Sequence, residues 1–289
     1  MNYLLLLASV AAASLNSVLL HKLDEDRDAF EFNMYTSFIW MIILFACNGF
    51  KITFTKQAVL FALLYGTIQV MFQVSKAKAM SAGPVSITTL IGNCSLLLST
   101  AVGVIVWREK VTVFQVLGLI MLLAAVIYCS YSKQNTAHTA KWKFYCVVFF
   151  VFAASVGIVF KTFSKSGSND CTGNMMFFAA VVMSLMLLCI TLFNKRKSTA
   201  VKNKFDRKYL MLVLSCGILS CLYNRLNIYL TGQLPSIVFF PSFNGGVVLA
   251  SFLMSKFILK EKLRIKQTIA ILIGCLLYTS DAADDLIGV

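Results

Sequence analysis

The sequence predicts an all-α integral membrane protein with ten transmembrane helices, arranged as two inverted five-helix repeats. Three observations lead there. The 289 residues are 59% hydrophobic and only 13% charged, and the mean hydropathy is +0.80; a soluble domain of this size carries about 25% charged residues. That leaves too little polar surface to cover a water-soluble globule. Long apolar segments alternate with short polar breaks throughout. Finally, the chain repeats itself: Pro84 and Pro235 lie 235 − 84 = 151 positions apart, as do Asn93 and Asn244, and Glu109 and Glu261 follow with a slip of one residue. A period of about half the chain marks two related halves.

A crossing helix needs about 20 mainly apolar residues. The first candidate, 3–20, opens MNYLLLLASVAAASL without a basic leader, and reads as a first span rather than a cleaved signal peptide. HKLDEDRDAFE and KITFTK then set off spans 30–50 and 57–79. Pro84 begins 84–106 as a helix-starting proline, and WREK turns the chain tightly into 111–131. A polar linker, Ser132–Lys141, separates this unit (1–133) from a second (139–279). The second holds spans 143–161, 172–193, 208–230, 235–256 and 263–279, with Pro235 and KFILKEK placed as Pro84 and WREK are. Five spans per unit make the second enter from the opposite face. Residues 280–289 put three Asp where a last helical turn should dissolve in lipid; YTSDAADD resembles translated sequencing-adapter read-through, so the tail is expected to be non-native.

The net charge of +14 comes from 26 Lys+Arg against 12 Asp+Glu. These cations sit between apolar runs as topogenic loop charges, so no nucleic-acid partner is expected; the partners are the bilayer and a small molecule, and a homodimer is left open. With ten spans, six basic loop residues fall on one side and nineteen on the other. That asymmetry puts the N-terminus outside and the 194–208 loop in the cytoplasm. Nine scattered Cys form no CxxC pair, and no HExxH, GxSxG or Walker loop occurs. No metal, cofactor, catalytic residue or ATP-driven pump is therefore expected.

Polar side chains within spans are costly and mark sites. Gln69, Gln73 and Lys76 are spaced four and three apart, hence on one helix face. Adding 151 gives Ser220, Asn224 and Asn227, a second stripe placed to face the first. Asn93 and Asn244 sit about nine residues into their spans. Arg225, flanked by Tyr223, lies ten positions before Pro235, and its counterpart is Val74, so it breaks the symmetry. No acidic residue falls mid-span, which leaves proton-driven export of cationic drugs without its carboxylate. Glu109 and Glu261 are expected to pack or cap their own tight turns. An intramembrane Arg with Lys76 nearby suits an anionic or zwitterionic ligand.

The runs AGPVSITTLIGNCSLLLSTAVGVIVWREKVTVFQVLGLIMLLAAVIY and LPSIVFFPSFNGGVVLASFLMSKFILKEKLRIKQTIAILIG resemble the EamA-type repeat of the drug/metabolite transporter superfamily. The shared features are a Pro-led helix, a Glu-Arg or Glu-Lys turn, and a following helix with a central glycine (Gly118, Gly274). That resemblance implies ten helices, alternating access, and a central cavity near the third, fourth, eighth and ninth spans. It also implies cytoplasmic termini, against the charge count. The expectation is a secondary transporter of a small polar metabolite: an amino acid, organic acid or phosphorylated compound. Substrate-binding candidates are Arg225, Asn224, Asn227, Gln69, Gln73, Lys76, Asn93, Asn244, Ser220 and Tyr223. The rivals are a broad drug or amphipath exporter and, further off, a membrane enzyme or scaffold.

Overall fold

The computed structural model describes residues 1–20, 28–83, 85–110, 139–166, 171–197 and 206–258, with a few positions between 112 and 120. Eight helices fill them: α1 (Asn2–Leu20), α2 (Ala29–Cys47), α3 (Lys56–Ala82), α4 (Val85–Trp107), α5 (Ala140–Lys165), α6 (Thr172–Lys197), α7 (Arg207–Gln233) and α8 (Ser236–Ile258). Most of the fifth expected span and all of the tenth, with Pro84, Glu261 and the 280–289 tail, lie outside the described residues. Helix starts use local chemistry: the Asp28 carboxylate accepts from Phe30 N (2.8 Å) at α2, and Thr139 Oγ1 accepts from Trp142 N (3.3 Å) at α5. α5 runs past both ends of the expected 143–161 span, which carries Lys161 into a helix instead of a loop.

Six of the eight, α1, α2, α3, α5, α6 and α7, are long and apolar enough to cross a membrane. Their outward faces carry large apolar side chains (Leu4, Ile42, Leu60, Phe193 and Met211 are exposed), as a lipid-facing surface requires. The protein is a multi-pass membrane bundle.

Packing follows a regular scheme. α3 packs on α5 and α6, α7 on α1 and α2, α4 on α5, α1 on α8, α2 on α6, and α4 on α8. Within a bilayer there is no hydrophobic gain from joining helices, so close contact between backbones must supply the attraction. Two glycines provide it. A Cβ at Gly66 would lie 2.9 Å from Val182 Cγ1 and 3.1 Å from the Ala179 carbonyl on α6; one at Gly217 would lie 2.8 Å from Ile39 Cγ2 and 3.4 Å from the Thr36 carbonyl on α2. Gly66 and Gly217 are themselves 217 − 66 = 151 positions apart. One departure from the scheme is the packing of α5 on α7, where Ser164 Oγ donates to the Ile228 carbonyl (2.6 Å).

Candidate functional site

A cavity of about 300 Å³ opens between α3, α4, α5, α7 and α8. Seven of the ten sequence candidates line it: Gln69, Lys76, Asn93, Tyr223, Asn224, Asn227 and Asn244. The rest of the wall is largely aromatic, with Phe72, Phe149, Phe160, Phe239, Phe240 and Phe243. Phe160 stacks on fully buried Tyr65 with ring centres 4.7 Å apart. Among the described residues the lining contains one cation, Lys76, and no carboxylate.

The two polar stripes differ in what they touch. On α7, Asn224 Nδ2 donates to the Ser220 carbonyl (2.8 Å), Tyr65 Oη donates to Asn224 Oδ1 (3.3 Å), and Ser9 Oγ donates to Asn227 Oδ1 (2.6 Å). On α3, Gln69 Oε1 and Gln73 Oε1 are buried and find no hydrogen-bond partner among the described residues. Ser220 enters through its carbonyl and is absent from the cavity wall, as is Gln73. Asn244 Nδ2 donates to the Phe240 carbonyl (2.8 Å). Between these two stands Pro241, a proline inside α8 that cannot donate to the Ile237 carbonyl one turn back. Sequence reasoning passed it over, although an apolar run with an internal proline is a readable signal.

Arg225 is not in this cavity. Successive helical residues point about 100° apart, so it leaves α7 on another side from Asn224 and is exposed. It lines a second, more open pocket of about 320 Å³ with Asn48, Lys51 and Thr53 of the α2–α3 turn and Thr172, Gly173 and Asn174 at the start of α6. The symmetry-breaking charge inside the central cavity is thus Lys76.

Glu109 does not cap its own turn. Glu109 Oε1 pairs with Lys161 Nζ at 2.8 Å, with side-chain exposures of 9% and 3%. Glu109 Oε2 also accepts from Ser236 N (2.6 Å), the first residue of α8. Lys161 Nζ donates in turn to the Leu234 carbonyl (2.7 Å) just past α7. The sequence reading places both residues among surface and loop charges, because neither is central in its span; the pairing depends on three segments meeting. Among the described residues, no three His, Cys, Asp or Glu side chains gather as metal ligands.

Fold and cavity together define a multi-pass helical membrane protein with a polar pocket between its helices. Residues 1–131 match the model of the EamA-like transporter family, so the first half of the chain is similar to a membrane transporter of the EamA-like kind. A solved structure described as "Crystal structure of protein" superposes with a TM-score of 0.76 at 14% identity, covering 98% of this chain and 95% of the other. At that identity the likeness concerns the fold alone. A search of curated protein sequences finds no match.

Proposed function

We propose that the protein is a secondary transporter that carries a small anionic or zwitterionic metabolite by alternating access between two inverted halves. The observation that carries this reading is the central cavity: among the described residues its one charged lining residue is a cation, Lys76, with no carboxylate beside it. A lone ammonium in a largely apolar pocket favours a ligand bearing negative charge, held by charge-assisted hydrogen bonds. The free acceptor Gln69 Oε1 in the cavity wall calls for an N–H or O–H donor on the same ligand, as an amino acid or hydroxy acid presents. The repeat reading draws support from the helix pairs that exchange partners in step and from glycines 151 positions apart at matching crossings. Arg225 and Lys51 give the second pocket a positive lining, which raises the local concentration of anions at that mouth.

The six phenylalanines in the wall favour a second reading, export of aromatic amphipaths. A thermal-shift screen of the purified protein against a metabolite library separates them. The first reading expects an anionic or zwitterionic ligand that stabilises the wild type and loses its effect in Lys76→Gln. Stabilisation by apolar cations, undiminished in Lys76→Gln, would overturn it.

A further inference from the structure

Beyond the cavity's aromatic end lies a charged knot that the transport reading above does not use. Gly157 and Phe160 of α5 line the cavity, and Lys161 follows them. Phe239 and Phe240 of α8 line it too, and Ser236 precedes them by one turn. The Glu109–Lys161 pair therefore stands directly outside the phenylalanine layer. Each charge is also fixed to a helix end. The Glu109 carboxylate takes the first N–H of α8, where an anion is favoured, and the Lys161 ammonium takes the Leu234 carbonyl just beyond α7, where a cation is favoured.

Two features press these parts together. A Cβ at Gly103 would run into Ser236 Cβ and lie 3.0 Å from Glu109 Oε2, so the α4 backbone rests against the start of α8. Arg108 adopts φ 51°, left-handed backbone that a non-glycine residue rarely takes, and this bends the chain after Trp107 so that Glu109 turns back to α8.

We propose that Glu109 and Lys161 form a latch holding the cavity shut at the face of the α7–α8 turn, and that the pair must part whenever the cavity opens there. The proposal rests on the alternating-access reading. α4 with its exit belongs to the first half of the chain, and α5, α7 and α8 to the second. Separating the end of α4 from both α5 and α8 to admit solute breaks the ion pair and the Ser236 bond together. Unpaired and buried, these charges would be severely penalised; opening lets water reach them, so the latch releases only into an open, hydrated mouth. The position 151 residues before Lys161 is Val10, and α1 carries no charged residue. The latch therefore has no charged α1 counterpart.

The test places a reporter, Ser99→Cys, in the cavity wall. A membrane-impermeant maleimide is applied from the α7–α8 face in sealed, oriented vesicles, with parallel labelling of the parent chain subtracting its nine native cysteines. Glu109→Gln or Lys161→Met should raise labelling from that face about tenfold, the scale of a lost charge-assisted hydrogen bond, and the double variant should add little. The swap E109K/K161E retains opposite charges yet should stay as open as the single variants, because it sets a cation on the α8 N-terminus. Unchanged labelling in folded single variants overturns the latch, and closure restored by the swap overturns the role of the helix ends. If the neutral variants do not fold, Glu109→Asp and Lys161→Arg take their place; misfolding of all four assigns the pair to structural support and overturns the latch. The readout needs no solute, so it fails separately from the choice of metabolite.

Discussion

The stripes on α3 and α7 are matched in sequence position and opposite in state. Asn224 and Asn227 on α7 spend their acceptors on Tyr65 and Ser9, whereas Gln69 and Gln73 on α3 keep buried acceptors without a partner. A buried amide that is satisfied holds helices together; one that is not costs about 1–3 kcal/mol until something fills it. The difference divides the labour between two related surfaces. On the transport function proposed above, α7 supports the cavity, and α3, with Lys76 one turn beyond Gln73, is left to meet the solute.

The sharpest way to break this division is at its charge. Lys76→Gln should weaken ligand binding about 10- to 100-fold, the worth of one charge-assisted hydrogen bond, measured by titration calorimetry on the purified protein. The next effect in size belongs to the glutamines. Gln69→Leu should cut affinity by about fivefold, and both Gln69→Leu and Gln73→Leu should raise the Tm of the ligand-free protein, since each removes an unsatisfied buried acceptor; a fall in that Tm would contradict the comparison. Asn227→Leu should do the reverse. It leaves the Ser9 hydroxyl only the longer contact to the Tyr223 carbonyl (3.4 Å) and costs about 0.6 kcal/mol, the average for an interhelical hydrogen bond in a membrane, visible as a lower Tm with affinity nearly unchanged. The smallest effect is expected at Arg225→Gln. It leaves equilibrium affinity in the central cavity unaltered and slows uptake only at low ionic strength, where long-range attraction is least screened.

Much of this was legible in the sequence, and the rest fails for definable reasons. Apolar run lengths locate the eight described helices to within a few residues because a bilayer dictates span length. The 3.6-residue period brings four of the six stripe residues, Gln69, Lys76, Asn224 and Asn227, to one cavity, since side chains four and three apart share a face, whereas Gln73 and Ser220 fall outside its wall. Arg225 went elsewhere because a charge inside a span shows that it needs water, not which of two pockets supplies it. Lys161 and Glu109 escaped notice because each sits at the end of a segment, where a charge is ordinarily solvated. Only the convergence of α5 with the ends of α4 and α7 removes that water, and convergence has no linear signature.

The paired glycines carry a mechanical consequence. At Gly66 and Gly217 the glycine offers no side chain of its own to the Val182 and Ile39 side chains that sit against it, so each contact can serve as a fulcrum. Gly66 lies sixteen residues from the Ala82 end of α3, about 24 Å at 1.5 Å per residue. A roll of about 10° at that point sweeps the end of the helix through about 4 Å while the fulcrum itself stays put. Motion on that scale is enough to admit or exclude a small solute, and it leaves the contact at Gly66 undisturbed.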